Sequence, residues 1–136
     1  MTPDSIVQLR KAIRTCLCGN ATLISRLGGP FVFDEPPRNQ LPPYITFADV
    51  RSRDWSTSTD DGAEHIMTMD VWSRHNGVQE ALEISALAAG VLETTVLSPV
   101  NHRVVSLQLQ TVDTRREANG RLSRARQIFR IVTEEI

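Results

Sequence analysis

The sequence predicts an α+β fold: an antiparallel or mixed β-sheet of four to five strands with two main helices packed on one face. Three observations carry this. Apolar residues recur at spacings of three and four near the N-terminus and again after residue 77, which is the period of a helix with one buried face. Residues 64–73, 105–110 and 124–131 instead alternate with period two, the signature of strands. Four prolines between positions 36 and 43 exclude helix from the stretch that separates the N-terminal part from the first long strand. The resulting order ααβββαββ, with hairpin-length connections, gathers the helices on one side of the sheet.

Thr2 and Pro3 form an N-cap and first-turn pair, and Ile6, Leu9, Ile13, Cys16 and Leu17 then line one helical stripe until Gly19 and Asn20. Asn20 caps a short second helix through Leu23, Ile24 and Leu27, which Gly28, Gly29 and Pro30 end. Phe31, Val32 and Phe33 make a brief strand. The β-branched and aromatic run from Tyr44 to Val50 opens a long hairpin whose polar loop spans residues 56–62. In the returning strand His65, Met67, Met69 and Val71 share one face, expected to lie under the helices, and Ile66, Thr68, Asp70 and Trp72 share the other. The second main helix, over 78–92, has so wide an apolar arc that it must be covered on more than one side, by helix one or by a neighbouring subunit. Val105, Leu107 and Leu109, and then Ala125, Gln127, Phe129 and Ile131, mark two final strands around a polar loop at 113–122.

The 136 residues form one expected domain, 1–136, large enough to bury a core without disulfide or metal. A hydrophobic fraction of 40% excludes a disordered chain. No apolar run approaches the roughly 18 residues of a membrane span, and the first residues lack a basic-then-apolar leader, so the chain reads as cytoplasmic with no membrane partner. Net charge is −1, but residues 115–130 carry six arginines against one glutamate, leaving the remainder acidic.

No catalytic or metal constellation emerges. Cys16 and Cys18 point about 200° apart on a helix, which suits neither a shared metal nor a mutual disulfide. His65, His75 and His102 are scattered, without ligand spacing, on surface or strand-face positions. There is no nucleophile elbow and no phosphate loop, and Asp60 and Asp61 are adjacent in a solvated loop rather than paired across a cleft. The chain is thus expected to be no enzyme and to hold no cofactor. Its rival reading is a small-ligand or enzymatic α+β domain whose pocket assembles only in three dimensions. Arg124, Arg126 and Arg130 alternate with apolar residues and so line one sheet face, open to three uses: a solvated face, a contact with another subunit, or phosphate contact.

The order of landmarks resembles the tail-completion, or tail-terminator, proteins of long-tailed bacteriophages and gene transfer agents. The matching residues are the N-terminal amphipathic helix, then Val32, Phe33 and Asp34, a Pro-rich turn, Pro43, Tyr44 and Ile45, then Trp55 before a polar loop. Val71, Trp72 and Ser73 end the next strand, and Gly77, Ala81 and Leu92 follow in a helix. The arginine-rich run after residue 120 matches no pattern of that family. The resemblance implies a ring subunit, typically hexameric, that caps the head-proximal end of the tail tube in the virion, stops its polymerisation and meets the head's connector. Its implied partners are further copies of itself, tail tube protein and the head–tail connector protein, with DNA only passing through the ring lumen; no catalytic residues carry over. The residues expected at oligomer or tube contacts are Asp60, Asp61, Arg115, Arg116, Arg124, Arg126 and Arg130.

Overall fold

A computed structural model describes residues 1–74, 78–117 and 121–136. The element order is α1 (Asp4–Cys18), α2 (Ala21–Leu27), β1 (Val32–Phe33), β2 (Tyr44–Asp54), β3 (Gly62–Ser73), α3 (Gln79–Thr94), β4 (His102–Arg116) and β5 (Ser123–Glu135). The five strands form one mixed sheet in the order β1-β2-β3-β5-β4, in which only β1 runs parallel to its neighbour. The ααβββαββ order predicted from the sequence is therefore the observed one.

Helix α1 starts one residue later than expected, because Pro3 rather than Thr2 holds the capping position; the Thr2 carbonyl accepts bonds from Ser5 N and Oγ instead. Its stripe of Leu9, Ile13 and Leu17 is buried. Asn20 caps α2 as predicted, its side chain accepting from Leu23 N at 2.9 Å, and Gly28 ends the helix at φ 86, a left-handed conformation that glycine adopts without a Cβ clash. Helix α3 buries Ala81, Ile84, Ala88, Ala89 and Leu92. Most of its wide arc is covered within the chain, where the helix packs on β3, β4 and β5 and is flanked by α1 and α2, while Leu82 is 39% exposed and Leu87 and Val91 are half-buried.

One face of the sheet carries the core. His65, Met67, Met69 and Val71 of β3 and Ala125, Phe129 and Ile131 of β5 are fully buried there, confirming the expected assignment of the methionine face. Strand β2 keeps the same face by an irregularity. Ile45 and Phe47 point inward by odd parity, a bulge follows at Ala48 and Asp49, and Val50 and Ser52 then point inward by even parity, opposite Met67 and His65. One extra residue thus flips the register and preserves the buried set. Strand β4 does the same twice, shifting at Val105 and at Gln110. This corrects one expectation: Val104 takes the inward place and Val105 is 55% exposed on the bulge.

Between β2 and β5, His65 is wholly buried with Ser52 Oγ 2.7 Å from its Nδ1 and Thr133 Oγ1 2.9 Å from its Nε2. Burial first, and the neighbouring His102 second, lower its pKa from 6.5 to about 4. The unfolded chain takes up this proton near pH 6.5 and the folded chain only near 4, so the stability it confers is intact above 6.5 and drains away as pH falls to about 4. A shift of this size corresponds to about 3 kcal/mol. Urea melts of the parent and of His65→Gln between pH 7 and pH 4 are expected to show a steeper loss in the parent; parallel curves would contradict the buried neutral imidazole. In the same assay Met69→Asp, which places a carboxylate in the core, is expected to cost about 4 kcal/mol or abolish folding, and Met69→Leu under about 1.5 kcal/mol.

Candidate functional site

The face of the sheet opposite the helices is built from Tyr44, Thr46, Arg51 and Arg53 of β2, Glu64, Ile66, Thr68, Asp70 and Trp72 of β3, and Arg124, Arg126, Ile128, Arg130 and Val132 of β5. Although no helix covers it among the described residues, Glu64, Thr68 and Asp70 are each under 10% exposed. What covers the two carboxylates is arginine. Arg126 lies directly opposite Asp70 and grips its carboxylate through Nε at 2.9 Å and Nη2 at 3.0 Å, a bidentate pair. Asp70 in turn raises the Arg126 pKa. Glu64 accepts from Arg53 Nε at 2.7 Å and from Arg130 Nε at 2.6 Å, and these two guanidinium groups, Arg53 first, hold its pKa below the ordinary carboxylate value.

The same cations hold the aromatic side chains. Arg53 and Arg130 sit 4.7 Å and 5.5 Å from the Trp55 ring centroid, one composite with Glu64 beneath it. Arg124 lies 5.8 Å from Trp72, and Trp72 donates to Thr46 Oγ1 at 3.0 Å and stacks on Tyr44 with centroids 6.5 Å apart. Tyr44 leads on to Phe33 and Phe31 at 6.2 Å and 6.1 Å. An aromatic row thus runs from residue 31 to Trp72, ending under Arg124, and burial raises the Tyr44 pKa.

Of the seven residues expected at contacts, three are therefore held within the chain. Arg126 and Arg130 are ion-paired, and Arg124 is 16% exposed at its side chain, over Trp72 and 3.9 Å from Glu117. The other four divide between the two ends of the sheet. Asp60 and Asp61 are exposed in the turn between β2 and β3, where Thr57 N donates to the Asp60 carbonyl and Asp60 N to Thr57 Oγ1. Arg115 and Arg116 are exposed at the far end of β4. Since Gly62 pairs with Glu134 and Ser73 with Ser123, the β2–β3 turn and the β4–β5 connection lie at opposite ends of the strands, about 35 Å apart at 3.3 Å per residue. Strand β4 also extends four residues into the stretch expected to be loop: Asp113 to Arg116 pair with Arg126 to Ser123.

The Ser52 and His65 contact has the spacing of a nucleophile and base, but His65 is fully buried, its second nitrogen meets a threonine hydroxyl rather than a carboxylate, and a pKa of about 4 makes it a weak base at neutral pH. Among the described residues no three metal-ligating side chains converge, and no helix is long and apolar enough to cross a membrane. Cys16 and Cys18 are partly buried against the core, and His102 Nδ1 lies 2.7 Å from the Val100 carbonyl; His75 and the landmark Gly77 lie outside the described residues.

The landmarks singled out in the sequence, Val32 to Asp34, Pro43 to Ile45, Trp55, and Val71 to Ser73, are thus brought onto neighbouring strands, with Phe33, Tyr44 and Trp72 in one aromatic row. The model of the family "Tail completion protein gp17" matches residues 11–134, which takes in all of them. The chain belongs to this family. Among solved structures, this tail completion family member is similar to a chain of the "Virion of native gene transfer agent (GTA) particle", at 25% identity and a TM-score of 0.84, covering 93% of this chain and 94% of that one. No curated protein sequence matches it. Family and structural neighbour together support a structural role in a phage-type tail. Neither points to catalysis.

Pairing within the sheet makes a distinct prediction from pairing between subunits. Arg126→Met strands a carboxylate that is 3% exposed and is expected to cost the isolated protein about 2 kcal/mol, while Asp70→Asn with Arg126→Met recovers most of the loss. Urea melts of the two variants check it, and an Arg126→Met protein as stable as the parent would return Arg126 to the pool of contact residues.

Proposed function

We propose that this tail completion protein is a tail terminator: a subunit of a hexameric ring that caps the head-proximal end of the tail tube, stops its polymerisation and joins it to the head–tail connector. The observation that carries the reading is the match of the tail completion family over residues 11–134. A virion structure as neighbour, at a TM-score of 0.84, supports it. In this reading the protein is assembled in the bacterial host cytoplasm, takes its place in the virion tail, and DNA meets it only by passing through the ring lumen.

The geometry supports the reading through polarity. A subunit set between a tube and a connector needs two unlike ends, and this sheet presents exposed Asp60 and Asp61 at one end and exposed Arg115 and Arg116 at the other. Charges at such rims act mainly on encounter rate and orientation rather than on affinity, which suits a ring that must dock in one direction. For the alternative of a ligand-binding domain, the groove of about 360 Å³ between α1 and residues 95–100 offers a mixed lining, apolar at Ala12, Val96 and Leu97 and polar at Gln8 and Thr15, with Lys11 as its one charged side chain.

The test shortens the β2–β3 turn. Replacing residues 57–60 by Asn-Gly keeps Trp55 over its arginines and the Asp61 carbonyl on Glu135 N, so far-ultraviolet circular dichroism and melting temperature are expected to change little. Tails made with the variant are expected to be overlong or to remain unjoined to heads in electron micrographs. Particles of normal length and normal infectivity or gene transfer would contradict a contact at this end.

A further inference from the structure

The outer edge of β4 carries a second contact surface, and the geometry points to a second copy of this chain as its occupant, joined antiparallel through residues 111–117 in a register centred on Thr114. Strand β4 is the last of the sheet, so its far side has no partner strand among the described residues. Bulges at Val105 and Gln110 blunt its first part, a common protection of sheet edges. Beyond Gln110 the ladder is regular to Arg116, and every residue of that stretch is exposed, Val112 included at 42%.

The direction of each backbone group follows from one bond. Glu117 N donates to the Leu122 carbonyl, so Glu117 faces β5, and by the alternation of an antiparallel ladder so do Arg115, Asp113 and Thr111. Arg116, Thr114 and Val112 therefore turn their N–H and C=O groups outward. A second copy centred on Thr114 sets Thr114 against Thr114 and Val112 against Arg116, so that every outward group meets another.

The same register solves a charge problem. Arg115 stands directly opposite Arg124, a like-charge pair across the ladder, and Asp113 stands opposite Arg126, on which its charge acts only as a minor contribution beside the bidentate grip of Asp70. No ion pair of Arg115 or Asp113 occurs among the described residues. In the self-paired edge Asp113 of each copy lies opposite Arg115 of the other, in the close, non-hydrogen-bonded positions of the ladder. On the helix side, the Arg116 stem of each copy covers Val112 of the other. Shifting the register to centre on Arg116 would oppose two arginines, and centring on Val112 would leave Asp113 facing Thr111.

A two-fold pair cannot be extended round a ring, so this pairing belongs to the free protein and opens before the subunit assembles. It rests on β4 alone and stands or falls separately from the terminator reading. Sedimentation of the purified full chain in low salt is expected to show a monomer–dimer equilibrium reaching twice 15.2 kDa, weaker at high salt. Asp113→Arg and Arg115→Asp singly are expected to raise the dimer Kd at least about tenfold, and the double swap to return it to within about threefold of the parent. Thr114→Pro removes an amide that points away from β5, so it is expected to abolish the dimer while the circular dichroism spectrum is kept. A parent that stays monomeric up to millimolar concentration, single variants that dimerise like the parent, or a folded double variant that stays monomeric would each overturn the proposal. Tail length in micrographs of particles carrying Thr114→Pro, which leaves the charges of both ends in place, reads the terminator function separately.

Discussion

Three helices cover one face of a five-stranded sheet, and the bidentate pair of Arg126 with Asp70 shows how the opposite face is held without a second layer. A sheet bare on one side exposes whatever that side carries, and here the side chains cover one another. Arginine stems lie over Asp70 and Glu64, and their guanidinium groups satisfy the carboxylates and flank Trp55 and Trp72. Such a layer is thin and polar, and Arg53, Arg124, Arg126 and Arg130 each meet an anion or a ring in it. It leaves a flat face that is structurally complete yet not greasy, whereas the two ends of the strands remain free to carry unpaired charge.

That division assigns different work to parts of the arginine-rich segment. Arg124, Arg126 and Arg130 belong to the architecture of one molecule, while Arg115 and Arg116 project at the end and outer edge of β4. The acidic turn at Asp60 and Asp61 marks the other end. The strand ends thus differ, with exposed Asp60 and Asp61 at one and exposed Arg115 and Arg116 at the other. The family match over residues 11–134 and the gene transfer agent virion neighbour support a structural role in a phage-type tail.

Much of the fold was legible in the sequence because it rests on periodicity. The spacing of Leu9, Ile13 and Leu17, the cap at Asn20 and the alternation of His65, Met67, Met69 and Val71 each placed an element and its buried face correctly. Two kinds of feature were not legible. Bulges at 48–49, 105 and 110 reset the period-two pattern by one residue, so the alternation that sets Val105 on one face with Leu107 and Leu109 breaks, and Val104 takes the inward place. Residues 113–116 contain no apolar position, and an exposed edge strand without a buried face leaves no hydrophobic period to detect; only pairing with β5 defines it. The candidate site was half legible for a related reason. Alternation showed that Arg124, Arg126 and Arg130 share a face, but their partners Asp70 and Glu64 lie 56 and 66 residues away from Arg126 and Arg130, a pairing that only the strand order reveals.

On the proposed function, the protein ends the tail and defines its length. Electron microscopy of particles made without it, and again with it supplied from a second gene copy, tests that most directly. Without the protein, tail tubes are expected to be of irregular and excessive length and to lie detached from heads; with it, lengths become uniform, tails join heads, and a ring of this subunit sits at the head-proximal end. Uniform, head-attached tails formed in its absence would contradict the account.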